Sequence, residues 1–125
     1  PGSIGYLSSA YVNESIQTAA IENLSGEFQL PTVKSGSIAL KNLGITNQLP
    51  TINPNPKEKG AYPISTLTWI WVYKNGYGEK LDQIKTTLNF LVSQEAKKKA
   101  LKMGFIPLNE NLQDHAIKSI KDIGI

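Results

Sequence analysis

Residues 62–73 read YPISTLTWIWVY, an uncharged run in which large apolar side chains alternate between two faces of an extended chain. One face carries Leu67, Trp69, Trp71 and Tyr73, and the other carries Ile64, Ile70 and Val72. A strand that is buried on both faces belongs in the middle of a parallel or mixed sheet that helices cover. The stretch therefore predicts an α/β protein with a mixed sheet flanked by helices.

The residues after this stretch predict helices. Lys74 to Gly78 read KNGYG and form a turn, after which apolar residues recur at spacings of three and four from Leu81 to Met103. Gly104 is a suitable residue for ending this helix, and FIPLN at 105–109 is predicted to be extended. A last helix is predicted to begin at Asn109 or Asn111, with an apolar stripe made of Leu112, Ala116, Ile120 and Ile123.

The residues before this stretch predict shorter elements. PGSIGYLS at 1–8 indicates a buried strand in which Gly5 lets a second backbone or a ligand approach. A hairpin is predicted around the Ser25–Gly26 turn, with arms at 19–21 and 28–30. Residues 32–43 predict a short helix that ends at Gly44, and the Pro- and Asn-rich residues 44–60 predict a surface loop.

Length and composition limit the classes of protein to which the chain can belong. The 125 residues fit one domain, and no apolar run approaches the roughly 20 residues that a membrane span needs. All 13 basic residues are lysine, so the chain lacks the planar guanidinium that grips phosphate or carboxylate with two parallel hydrogen bonds. The net charge of +3 is mild and dispersed, which argues against nucleic acid as a partner.

Catalytic and metal-binding patterns are missing from the sequence. The only histidine, His115, follows Asp114 in the last predicted helix, where consecutive side chains point about 100° apart and cannot form an orienting pair. The chain has no cysteine, and its carboxylates are scattered without metal-ligand spacing. We therefore expect neither an enzyme nor a cofactor.

Three short motifs carry weak signals. KSGS at Lys34–Ser37 leads into a helix and could present free N–H groups to an anion, although most such sequences are ordinary helix starts. The lysines of EAKKKALK at 95–102 fit a solvated helix face. Asn13 and Asn23 each begin a formal glycosylation sequon, a pattern that chance often produces.

Four stretches resemble one family in the same order along the chain: PGSIGYLSSAYV, AAIENLSGEFQLPT, AYPISTLTWIWVYK and MGFIPLNENL. They are similar to the C-terminal portion of the periplasmic phosphate-binding proteins of high-affinity phosphate ABC transporters, and they span nearly the whole chain. The most specific are PGSIGY and YPIST. The resemblance implies that the chain is a C-terminal piece of a two-lobed type II periplasmic binding protein.

The resemblance also implies a division of the chain between lobes. Residues 1–61 would belong to the second lobe, and residues 62–125 would cross back and complete the first. The family's phosphate ligands precede the segment that resembles PGSIGY, so no phosphate-binding residue is expected here. The expected contribution is a hinge or cleft wall, formed by Gly5, Tyr6, Tyr62, Pro63, Ser65 and Thr66.

The function implied by the resemblance is the reversible capture of inorganic phosphate between two lobes. The expected partners are phosphate, held together with the upstream half of the protein, and the membrane permease of the transporter. The intact protein would be a monomer outside the cytoplasm, free in the periplasm or held by a lipid anchor. The alternatives are a binding protein for another oxyanion, a phosphate-ester hydrolase on the same fold, and a structural role in a larger assembly.

Overall fold

The chain is a small mixed α/β structure in the computed structural model, which describes residues 2–41, 44–46, 49–51 and 55–125. Within these residues lie four α-helices: α1 Val33–Leu40, α2 Leu81–Leu91, α3 Gln94–Lys102 and α4 Glu110–Lys121. Two antiparallel pairs are formed by the strands β1 Ile21–Glu22, β2 Phe28–Gln29, β3 Gly44–Thr46 and β4 Leu49–Thr51. Short 3-10 turns lie at Ser9–Tyr11 and Gly78–Lys80.

The predicted hairpin is confirmed. Ile21 pairs with Gln29 and Glu22 with Phe28, so the strands flank the predicted turn. Gly26 has a φ of 81°, a left-handed conformation that glycine adopts without steric cost, and its N–H donates to the Asn23 carbonyl at 3.0 Å. Local turn chemistry therefore sets the register of this hairpin.

The helix predicted at 32–43 begins as expected and ends early. Thr32 is its N-cap, and its hydroxyl accepts from the Ser35 N–H in a reciprocal capping box. The helix ends at Leu40, whose carbonyl accepts the Asn109 side-chain amide at 3.2 Å. Gly44 lies in β3 and not at the helix end, while Leu43, the last predicted stripe residue, lies outside the described residues.

The prediction of a surface loop for 44–60 was wrong for its first part. Gly44 pairs with Thr51 and Thr46 with Leu49, which makes β3 and β4 a hairpin. Pro50 lies opposite Ile45 and has no N–H to contribute, which a two-stranded pair tolerates because both of its strands are edges. Residues 52–54 lie outside the described part of the chain.

The long helix predicted from Leu81 to Met103 is two helices. The first ends at Leu91, and the Ser93 hydroxyl caps the second by accepting from the Ala96 N–H at 3.2 Å. The capping preference of serine therefore outweighs the continuous apolar period. The predicted stop is confirmed, since Gly104 follows the second helix with a φ of 78°.

The core lies beneath the last helix. Asn109 is the N-cap of α4, and its side chain accepts from the Leu112 N–H at 2.9 Å. It is one of the two residues at which this helix was predicted to begin. The stripe prediction is confirmed, because Leu112, Ile120 and Ile123 are buried and Ala116 is half-buried. They share the core with Ala39, Leu40 and Ala61, and α2 packs against both α3 and α4.

The prediction of a doubly buried strand at 62–73 was wrong for the described chain. Residues 66–73 have no regular secondary structure, and Trp71 and Tyr73 are 82% and 81% exposed. A strand requires a neighbour that completes its hydrogen-bond ladder, and no described residue supplies one here. The same holds for the strand predicted at the N-terminus, where Ile4 and Tyr6 are fully exposed.

We expect Asn109→Ala to lower the free energy of unfolding by about 1–2 kcal/mol. The substitution removes the N-cap of α4 and the amide group that donates to the last carbonyl of α1. Asn109→Asp keeps an acceptor for the Leu112 N–H and loses only the donor to the Leu40 carbonyl, so its cost should be smaller. Urea unfolding followed by circular dichroism measures both. Equal losses for the two variants would contradict the separate roles of the amide nitrogen and oxygen.

Candidate functional site

The predicted hinge or cleft-wall residues lie in two places. Gly5 and Tyr6 are on an exposed N-terminal segment, and a Cβ added to Gly5 would meet no atom within 4 Å. The expectation that another backbone approaches Gly5 was therefore wrong within the described residues. The remaining four residues form the start of the stretch 62–73.

Residues 62–66 fold against α1. The Tyr62 N–H donates to the Ser35 carbonyl at 3.1 Å, and the Ser65 hydroxyl donates back to the Tyr62 carbonyl at 3.2 Å. Pro63 is buried, whereas Thr66 is exposed. The segment is therefore fixed at Tyr62 and Pro63, and its side chains are exposed from Ile64 onward except at the half-buried Ser65 and Leu67. Its role as a hinge stays a prediction.

The start of α1 is occupied by its own side chains. The Ser35 hydroxyl donates to the Leu30 carbonyl at 2.6 Å and accepts from the Thr32 N–H at 3.0 Å. The Ser35 N–H donates to the Thr32 hydroxyl, and the Gly36 N–H donates to the Thr32 carbonyl. KSGS therefore forms an ordinary capped helix start, and the groups that an anion would need at Ser35 are already used.

Gly36 brings α1 close to the extended segment before α4. A Cβ at Gly36 would overlap Cδ1 of Ile106, and it would lie 3.5 Å from Ile106 Cγ1 and 3.7 Å from the Ser65 hydroxyl. The missing side chain is therefore what lets 105–109 pack on the helix. The atom nearest to this added Cβ is Cδ1, the end of the flexible Ile106 side chain. A small side chain at Gly36 can therefore be accommodated by a shift of Ile106.

Gly36→Ala is expected to change the free energy of unfolding by less than about 1 kcal/mol, because the gain in helix propensity offsets a small shift of Ile106. Gly36→Val should cost about 1–3 kcal/mol, since its branched side chain must displace Ile106 further. Thermal and urea unfolding of both variants measure the difference. Equal stability of the alanine and valine variants would show that the contact is not tight.

A cavity of about 210 Å³ lies beside this junction. Its lining is apolar except at Ser37 and Asn109, and it consists of Ser37, Leu40, Leu67, Ile106, Pro107, Leu108, Asn109 and Leu112. The amide of Asn109 is engaged in capping two helices. A buried oxyanion needs several converging donors, and this lining does not supply them.

Asn23 is a buried polar residue whose structural role the sequence did not reveal. Its Oδ1 accepts from the Ser25 N–H, the Ser25 hydroxyl and the Glu27 N–H at 2.7–3.1 Å, and its Nδ2 donates to the Ala61 carbonyl at 3.0 Å. Close by, the Glu27 carboxylate accepts from the Gly60 N–H at 2.7 Å. The available signal was an asparagine two residues before a Ser-Gly turn, which favours this local geometry.

The described part of the chain contains no group of three His, Cys, Asp or Glu side chains that could hold a metal ion. None of its helices has the length and apolar content to cross a membrane. His115 is half-buried on α4 and shares no such cluster. No protein-family model and no curated protein matches the chain.

Proposed function

We propose that this chain is the C-terminal part of a phosphate-binding protein that serves an ABC transporter. The observation that carries the proposal is the stretch 62–73, which is apolar on both faces, free of charge and exposed at Trp71 and Tyr73. A soluble domain rarely leaves such a stretch uncovered. Neighbouring strands from an upstream segment would cover it and would make it the interior strand that its sequence pattern predicts.

The resemblance of four ordered stretches to phosphate-binding proteins supplies the nature of the ligand. Within this proposal, the groups that bind phosphate come from the upstream half. The chain fits that division because it has no arginine, and because the serine and threonine at the start of α1 bond to each other and to the backbone.

The proposed contribution of this chain is mechanical. Tyr62 and Pro63 are fixed against α1, while residues 66–73 have no regular secondary structure. A hinge requires a few residues that change φ and ψ beside a rigid anchor. Within this proposal, residues 62–66 would supply the hinge and would let two lobes close around the anion. The permease would then receive the ligand when the lobes reopen.

The competing functions differ in what they need from the protein. A binding protein for another oxyanion would use the same scaffold with different upstream ligands. A phosphate-ester hydrolase would need a nucleophile, a base or a metal. The described residues contain no group of three His, Cys, Asp or Glu side chains that could hold the metal. A structural role in a larger assembly would need no anion at all.

Calorimetric titration of phosphate into the complete gene product and into the 125-residue chain tests the proposal. We expect saturable one-to-one binding by the complete product and none by the chain alone at micromolar concentrations. Sulfate titration and release of p-nitrophenol from p-nitrophenyl phosphate distinguish the other oxyanion and the hydrolase.

Two results would overturn parts of the proposal. The absence of phosphate binding by the complete product would reject phosphate as the ligand. Saturable binding by the chain alone would show that the ligands lie within these residues, and Lys34–Ser37 would then be the first site to substitute.

A further inference from the structure

Two asparagines of the chain begin the same three-residue motif. Asn13-Glu14-Ser15 and Asn23-Leu24-Ser25 both have the form Asn-X-Ser, the acceptor pattern for N-linked glycosylation. Sequence gives no reason to prefer one over the other. The structure places them in very different surroundings.

The two motifs have nearly the same internal geometry. At the first, the Ser15 N–H and hydroxyl donate to Asn13 Oδ1 at 3.0 and 2.6 Å. At the second, the Ser25 N–H and hydroxyl donate to Asn23 Oδ1 at 3.0 and 2.7 Å. In both cases the serine lies against the amide oxygen, and the reactive amide nitrogen is on the opposite side of the group. Local conformation therefore does not distinguish them.

The amide nitrogens differ in access. Asn13 is exposed together with Glu14 and Ser15, and both of its side-chain hydrogen bonds within the described residues are made by Oδ1. Asn23 is only 4% exposed, and its Nδ2 donates to the Ala61 carbonyl. A glycan is bulky and needs a surface position. Only the first motif offers a nitrogen that an enzyme can reach without unfolding the chain.

We propose that Asn13 is an acceptor for an N-linked glycan and that Asn23 is not one in the folded chain. The donor class is a polyisoprenyl pyrophosphate-linked oligosaccharide, used by a membrane oligosaccharyltransferase. The Asn13 nitrogen forms a bond to the anomeric carbon, and the bond from that carbon to the pyrophosphate oxygen breaks. The lipid pyrophosphate leaves with the electron pair, and one amide proton passes to a base of the transferase. Phosphate binding is not involved, so the two proposals can fail separately.

The test uses the purified, folded 125-residue chain with a single-subunit oligosaccharyltransferase and a dolichyl pyrophosphate-linked oligosaccharide. Intact mass measurement should show the addition of one glycan, and peptide mapping should place it on Asn13. Ser15→Ala destroys that motif at an exposed position and should abolish the addition, whereas Ser25→Ala should leave it unchanged.

A synthetic peptide of residues 19–31 separates burial from sequence. We expect the transferase to modify Asn23 in this peptide and not in the folded chain, because the peptide lacks the Ala61 carbonyl and the surrounding core. An unmodified Asn13 in the folded chain would overturn the proposal. Comparable occupancy at Asn13 and Asn23, or an unmodified peptide, would contradict burial as the cause of selection.

Discussion

Trp71→Ala is expected to change the free energy of unfolding of the isolated chain by less than about 0.5 kcal/mol, and to cost the complete gene product about 3–5 kcal/mol. The side chain is 82% exposed here, so its removal leaves no cavity. In the complete protein it would lie in an interior strand, where truncation of a large aromatic residue removes many contacts. Urea unfolding of both proteins, with and without the substitution, measures the two effects.

Ile120→Ala is the matched control for this experiment. Ile120 is already buried in the isolated chain, so its truncation should cost about 2–5 kcal/mol in both proteins. A negligible effect of Trp71→Ala in the complete product, beside a normal loss for Ile120→Ala, would show that upstream residues do not cover the stretch 62–73. That outcome would remove the structural support for the proposed function.

Asn23→Ala is expected to lower the free energy of unfolding by about 2–4 kcal/mol. This loss is larger than the one expected for Asn109→Ala. The substitution removes one acceptor used by two backbone N–H groups and one donor used by the Ala61 carbonyl, in a site that is nearly closed to water. Buried groups that lose their partners cost more than an exposed hydrogen bond contributes. Chemical unfolding monitored by circular dichroism measures the loss.

Ser25→Ala and Asn23→Asp separate the contributions at this site. Ser25→Ala removes only the hydroxyl contact to Asn23 and should cost less than about 1 kcal/mol. Asn23→Asp keeps the acceptor oxygen but places a second oxygen against the Ala61 carbonyl, so it should be destabilising despite its similar shape. A fully stable aspartate variant would mean that the amide nitrogen contributes little.

Local signals predicted the elements that they alone determine. The Ser25–Gly26 turn predicted the first hairpin, the range 32–43 predicted where α1 begins, and Asn109 was one of two predicted starts of α4. Each depends on residues within a few positions of one another. The break at Ser93 was missed because the apolar period runs through it, although a serine cap is also a local signal.

The stretch 62–73 could not be predicted in the same way, because strand formation depends on a partner strand whose position along the chain is not set by local sequence. The alternation of its apolar side chains indicates that both faces are suited to burial, but no described residue covers them. The roles of Asn23 and Gly36 were missed for a related reason. Ala61 and Ile106 give these residues their importance, and neither is close to its partner in sequence.

The side chain of Asn109 has a consequence for how the chain opens. Its nitrogen donates to the last carbonyl of α1, at Leu40, 69 residues earlier in the sequence, and its oxygen accepts from the first turn of α4. Rotation of one side chain releases both helix ends, so their fluctuations are coupled and belong to one cooperative unit. Amide protons of the first turn of α4 should therefore exchange with solvent at rates that follow the fraying of α1. The two ends would be lost together in any partly unfolded state.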